Sequence, residues 1–231
     1  SMGLEVDNVA KLKKDTIIDI DMTPNRADCL SVIGIARDLS AIYKKKILMP
    51  KVFKLPKNIP SQIKSVNKKI STSYSILSIE NFDNTQKTPK YISDRLATSG
   101  VSQINFIVDV LNYVMLEVGQ PMHVFDKNKL NGKLKVRFAK TGEKINALDG
   151  NEYLLSSEIP IIADNQGPQA IAGVIGSNDS SVNKESKSII IESAFFDQNL
   201  IRKSSKKYRL QTESSYRFER GVDPILNNYA L

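Results

Sequence analysis

KLKVRFAKTGEKINALDGNEYLL, residues 133–155, reads as a strand followed by a β-hairpin. Its first part, Lys133 to Lys140, alternates charged and apolar side chains with the period of two that a half-buried strand requires. INALDGNEYLL (Ile145–Leu155) then sets Asp149-Gly150 between two apolar arms, a strong hairpin signal because glycine reaches the positive φ of a tight turn without steric cost. Downstream, IPIIAD (Ile159–Asp164), AIAGVIG (Ala170–Gly176) and SIIIESAFF (Ser188–Phe196) read as three more apolar strands. Asp197 follows as the cap of a basic helix through about Tyr208.

Working upstream, SYSILSIENF (Ser73–Phe82) is strand-like, and Thr88-Pro89 predicts a capped helix that Gly100 ends, followed by a second helix from Ser102 to about Glu117. Near the start, TIIDIDM (Thr16–Met22) alternates as a strand. Asp28 is the expected cap of an amphipathic helix from Cys29 to about Lys44, because Leu30, Ile33, Ala36, Leu39 and Tyr43 recur at helical spacing. The expected fold class is α+β, a mixed and mostly antiparallel sheet with packed helices, preceded by a small helical fragment. Residues 44–69 carry no acid and no sustained period but include Pro50, Pro56 and Pro60, which reads as a linker. The expected organisation is a leading segment over 1–50, a basic linker over 51–70, a main domain over 71–225 and the start of a further connection over 226–231.

At 231 residues, 41% apolar and 25% charged, the chain has the composition of a soluble globular protein with one full core and a smaller piece. The net charge of +8 points to a polyanion or an acidic surface as partner. The charge gathers in Lys44, Lys45, Lys46, Lys51, Lys54, Lys57, Lys64, Lys68 and Lys69, and again in Arg202, Lys203, Lys206, Lys207, Arg209, Arg217 and Arg220. A solvated lysine-rich face and a phosphate-contacting surface both fit this pattern. The single cysteine, Cys29, excludes an internal disulfide framework and a Cys-rich zinc site, as in a protein of the reducing cytosol. No apolar run is long enough to span a bilayer, and SMGLEV lacks the apolar core of a signal peptide. Ser1-Met2 reads as an expression scar and NNYAL as an open end, so a piece of a longer chain is expected.

Chemistry is narrowed by what is scarce. The chain has one histidine, His123, in a turn after a long apolar stretch, so any imidazole-dependent step happens there or nowhere. There is no GxGxxG, no GxxxxGK[ST] and no GxSxG, and one His with one Cys builds no zinc tetrad without many carboxylates. Isolated polar residues beside apolar strands remain. His123 is a structural hydrogen-bonding residue or a proton-handling one. Alternation after Ile189, Ile190 and Ile191 places Glu192 on the solvated face; inside a pocket it would instead accept a hydrogen bond from a ligand hydroxyl or cation. Gly173 and Gly176 permit either close strand packing or a substrate lying against the backbone.

Read together and in order, TPNRADCLSVIGIARDLSA, VDVLNYVMLEVGQPMHVFD, LDG, AGVIG, IESAFFD and RLQTESSYRFERGVDP resemble the beta subunit of bacterial phenylalanyl-tRNA synthetase, from about Asp15 to Pro224. The resemblance implies that residues 1–50 are the later half of that subunit's split first domain. It implies that the remainder is the combined third and fourth domains, which edit tyrosine wrongly attached to the phenylalanine tRNA. Its editing histidine falls on His123, its hydroxyl-reading glutamate on Glu192 and its pocket glycine on Gly176, with Asn112 and Thr212 at further pocket positions. Leu111 stands where a threonine is common and Ser214 where an alanine is usual.

A site built to hydrogen-bond a hydroxyl rejects the analogue lacking it by on the order of ten-thousand-fold, which suits Glu192 for telling tyrosine from phenylalanine. An aminoacyl ester is already activated, so a positioned water and oxyanion donors, expected among backbone amides near Gly176, suffice without a covalent nucleophile. His123 is then expected to orient the terminal ribose or the water. The resemblance implies no metal and no cofactor in this segment, ATP and Mg²⁺ for the parent enzyme, and the phenylalanine tRNA and an alpha subunit as partners. The expected assembly has two alpha and two beta chains, in the cytoplasm and away from membranes. A structural, tRNA-binding scaffold with weak or absent editing is the alternative.

Overall fold

The computed structural model describes residues 3–13, 15–52, 61–62 and 66–231. The leading segment is a hairpin followed by a helix, more than the helical fragment expected. β1 (Glu5–Lys11) pairs antiparallel with β2 (Thr16–Asp21). Asp28 does not cap the helix. It lies in a short 3-10 turn, Ala27–Cys29, where the Arg26 guanidinium holds both of its carboxylate oxygens at 3.0 Å. Ser31 takes the capping role, its hydroxyl accepting from Gly34 N at 3.0 Å, and α1 runs Val32–Tyr43.

Two four-stranded antiparallel sheets make the body. The first has the order β3-β4-β12-β5, from β3 (Ser61–Gln62), β4 (Ser71–Ile79), β12 (Ile189–Phe196) and β5 (Met122–Asp126). Of the expected linker, 53–60 and 63–65 lie outside the described residues, while Ser61–Gln62 form an edge strand and Ile70 is buried in the core. The second sheet has the order β11-β10-β9-β6, from β6 (Lys135–Phe138), β9 (Pro160–Ala163), β10 (Pro168–Ile171) and β11 (Ile175–Gly176). The hairpin expected around Asp149-Gly150 forms between β7 (Lys144–Asn146) and β8 (Glu152–Leu154).

AIAGVIG is not one strand. The chain reverses between β10 and β11, so that Ala170 faces Gly176 and Ile171 faces Ile175. Gly173 sits in this reversal at φ +65°, where a Cβ would come 2.9 Å from Ile201 and 3.1 Å from both Phe196 and Phe218. An alternating apolar run hides such a turn because both arms are buried and therefore equally apolar.

Thr88 is also not a cap. Its hydroxyl donates to Asp109 at 2.6 Å, and α2 (Lys90–Thr98) begins after Pro89. Asn105 caps α3 (Phe106–Val118), which therefore starts later than Ser102, and Gly119 ends it in the left-handed conformation. Asp197 does cap α4 (Gln198–Tyr208), accepting from Leu200 N at 3.0 Å. Two short helices follow, α5 (Glu213–Phe218) and α6 (Leu226–Ala230).

The first sheet is covered on both faces. On one, Tyr74, Phe125, Ala194 and Phe196 join a core with Ile161, Ile162, Ile171, Ile201 and Phe218. On the other, Ile189 and Ile191 pack with Val124 and with Ile107 and Leu111 of α3. β12 consequently has no solvated face.

Candidate functional site

In the β12–β5 register Glu192 lies opposite His123, and in the β12–β4 register Ala194 lies opposite Tyr74. Opposite residues of an antiparallel pair share a face, and so do alternate residues of one strand, which puts Tyr74, Glu192 and His123 side by side on three adjacent strands. Glu192 and His123 line a cavity of about 430 Å³. Leu111 and Asn112 of α3, Gly176 of β11, and Thr212 and Ser214 at the start of α5 line it too, so one cavity gathers every residue carried over as a candidate editing-site residue.

Glu192 is 4% exposed, against the solvated face that alternation gave it. Alternation assumes one wet face, and β12 has none. Tyr74, fully buried behind it, donates its hydroxyl to Glu192 Oε2 at 2.7 Å. Burial pushes the Glu192 carboxyl up to about 7, against the pull of the Tyr74 hydrogen bond toward the ionised form. The Tyr74 phenol is raised well above its ordinary value, first by burial and then by the charge and hydrogen bond of Glu192.

His123 has its Nε2 buried without a hydrogen-bond partner, and its ring stands edge-on to Phe125 at 4.5 Å between centroids. Burial pulls the imidazole down to about 4, so it is neutral at pH 7. A neutral ring that gives up protons so readily is a weak base and serves better as a hydrogen-bonding positioner. The glycine at 176 makes room for it: a Cβ there would fall 2.4 Å from His123 Cε1 and 2.7 Å from Nε2.

The remaining lining residues differ in what they leave free. Thr212 donates to Val174 O at 2.8 Å and accepts from Ser215 N at 3.1 Å, so its hydroxyl ties α5 to the β10–β11 turn. Leu111 is a core residue of the α3 face. The expected oxyanion donors are partly committed, since Val174 N donates to Ile171 O at 3.0 Å and Ser177 N to Gln169 O at 2.8 Å. Asp149, at the hairpin tip, also lines the cavity, its carboxylate held low by the hydroxyl of Tyr153 and by Asn151.

Tyr74 was not found from the sequence. The available signal was a lone phenol inside SYSILSIENF, since a buried tyrosine hydroxyl needs a partner. Asp28, Cys29 and Asp38 form the one group of metal-ligating side chains close enough to share an ion among the described residues. The Arg26 guanidinium already occupies it, 2.7 Å from Cys29 Sγ, 3.0 Å from Asp28 and 2.5 Å from Asp38. Part of the second basic cluster is likewise engaged: Lys203 and Lys207 pair with Glu158, Arg217 is buried against Glu213, and Arg220 lies 3.6 Å over the Tyr216 ring.

Residues 71–231 match the B3/4 domain family, and this covers the strands and helices that enclose the cavity. The chain belongs to that family. Over 236 residues it is 44% identical to the phenylalanine–tRNA ligase beta subunit of Francisella tularensis, covering 100% of this chain and 29% of that one. The beta subunits of Aquifex aeolicus and Legionella pneumophila are 45% and 40% identical over 90% and 94% of this chain, and over 27% and 28% of their own lengths. This B3/4 chain therefore spans under a third of the curated relatives it matches. Among solved structures, an N-terminal fragment of the phenylalanyl-tRNA synthetase beta subunit from Pyrococcus horikoshii aligns with a TM-score of 0.41 at 17% identity, covering 87% of this chain and 62% of that one.

Proposed function

We propose that this chain is the editing portion of a phenylalanine–tRNA ligase beta subunit, and that its cavity hydrolyses the ester of tyrosine wrongly attached to the phenylalanine tRNA. The observation that carries the reading is Glu192, a carboxylate buried beside apolar strands with one oxygen held by Tyr74. A tyrosine side chain fits such a wall, its ring against Ile162 and Val174 and its hydroxyl donating to the carboxylate. Phenylalanine would leave that carboxylate desolvated without a second donor, a penalty of about 1–3 kcal/mol or more.

In the reaction, water adds to the ester carbonyl, the acyl carbon–oxygen bond breaks, and the proton of the water passes to the departing ribose oxygen. His123, neutral and beside Gly176, orients the ribose or the water by hydrogen bonding, and Asn112, which also lines the cavity, supplies a further amide. The ester needs no covalent nucleophile. ATP and Mg²⁺ belong to the activating chemistry of the parent enzyme, which on this reading pairs two alpha with two beta chains in the cytoplasm. On this reading, lysines of the basic clusters serve the phosphate backbone of the tRNA. Among the described residues no helix is long and apolar enough to cross a membrane.

The test uses the complete enzyme and preformed tyrosyl-tRNA. Glu192→Ala is expected to slow deacylation about 100-fold while aminoacylation with phenylalanine continues. An unchanged deacylation rate would remove Glu192 from the site and the reading with it. Leu111, a core residue where the family resemblance implies a threonine, favours the second reading, a tRNA-binding scaffold. That reading is selected if the unsubstituted enzyme binds the tRNA yet leaves its tyrosyl ester intact.

A further inference from the structure

Building on the cavity as a site for a phenolic side chain, we propose that Tyr74 is the positioning residue that fixes which oxygen of Glu192 meets the ligand. Its hydroxyl donates to Oε2 at 2.7 Å, which leaves Oε1 as the oxygen for an incoming donor. Tyr74 itself has little freedom. It is 1% exposed, it sits mid-strand opposite Ala194, and its ring meets Phe196 edge-on at 6.4 Å. The phenol has a single proton and spends it on Glu192, so Tyr74 holds the carboxylate without itself donating to the ligand.

The charge environment strengthens the point. Tyr74 faces Glu192 from β4 and His123 faces it from β5, while Asp149 and Glu213 are the other ionisable groups lining the cavity. No Lys or Arg lines it among the described residues. Within the chain, the Tyr74 hydrogen bond is therefore what favours an ionised Glu192, and without it the carboxyl would take up its proton at higher pH.

The experiment follows deacylation of preformed tyrosyl-tRNA by the complete enzyme across the pH range around neutrality. Tyr74→Phe keeps the ring and deletes the hydroxyl. The expected result is a KM about tenfold higher with kcat within about twofold, the loss of one charge-assisted hydrogen bond. An acid limb of kcat/KM set by the raised Glu192 carboxyl is expected near 7 in the parent and at higher pH in Tyr74→Phe. Glu192→Gln, which still accepts from Tyr74 but cannot ionise, is expected to abolish that limb, and this variant decides the matter should Tyr74→Phe not fold. The proposal is overturned by a Tyr74→Phe enzyme with unaltered KM and acid limb, by losses with the limb unmoved, or by a limb that persists in Glu192→Gln. If Glu192→Ala is inactive and Tyr74→Phe behaves as the parent, only the role of Tyr74 fails. If Glu192→Ala is also silent, the reading of the cavity fails first.

Discussion

On one wall of the cavity, β12 carries a carboxylate in a strand whose two faces are both covered; on the other, the β10–β11 turn carries glycines where side chains would collide. The first wall keeps a polar group in an unfavourable place and holds it there with Tyr74. The second removes atoms, so that the His123 ring can lie against the Gly176 backbone. On the proposed reading, selectivity belongs to the wall that bears the carboxylate, and close approach to the wall of glycines. Both glycines line the cavity, but a Cβ at Gly173 would meet core side chains and one at Gly176 would meet the His123 ring.

Substitution should separate these roles. The largest stability effect is expected at Gly173→Ala, which combines a positive φ with a Cβ in contact with Ile201, Phe196 and Phe218, and should cost about 3 kcal/mol in urea unfolding. A cost below about 1 kcal/mol would mean that the turn relaxes and that Gly173 is not structural.

Glu192→Gln is expected to be next, and its sign depends on pH. The folded carboxyl is raised to about 7, so its contribution to stability is full below its ordinary value near 4.5 and is lost as pH rises through about 7. The glutamine variant does not suffer that loss and should gain on the parent by up to about 3 kcal/mol between pH 5 and 8. His123 acts in the opposite sense. With its folded value pulled down to about 4, it favours the fold above about 6.5, and that stability is lost as pH falls through 4. Parallel stability curves for parent and Glu192→Gln would contradict the burial of the carboxylate.

The smallest stability effect is expected at Gly176→Ala. The atom that must give way is the edge of the His123 ring rather than backbone, so the cost should be about 1 kcal/mol. Deacylation of tyrosyl-tRNA should nevertheless fall by about tenfold or more, because the displaced ring no longer orients ribose or water. Loss of stability without loss of deacylation would make Gly176 a packing residue like Gly173.

Local signals carried much of this fold. The Asp149-Gly150 hairpin, the Asp197 cap and the strand character of SIIIESAFF rest on short-range chemistry, and each is present. Some failures are local, such as the Ser31 and Asn105 caps and the β1–β2 hairpin, and the others are tertiary. Asp28 and Thr88 are sound capping residues in isolation, but Arg26 and Asp109 are stronger partners. AIAGVIG conceals a turn because both arms are buried, and Glu192 looked solvated because nothing local reveals a second layer on β12. His123, Glu192 and Gly176 were legible as isolated polar or small residues, whereas Leu111, Asn112, Thr212 and Ser214 came only through resemblance. Residue spacing alone cannot bring positions 74, 123, 176 and 192 together, since β4, β12 and β5 meet by long-range pairing and β11 belongs to the second sheet.

On the proposed reading, Glu192 accepts a phenolic hydroxyl inside this cavity. A crystal structure of the protein with a non-hydrolysable tyrosyl-adenosine analogue tests it most directly. The expected result places the tyrosine ring between the glycine turn and β12, with its hydroxyl about 2.7 Å from Glu192 and the ribose beside His123. An analogue bound elsewhere, or bound here with its hydroxyl turned away from Glu192, would contradict the account.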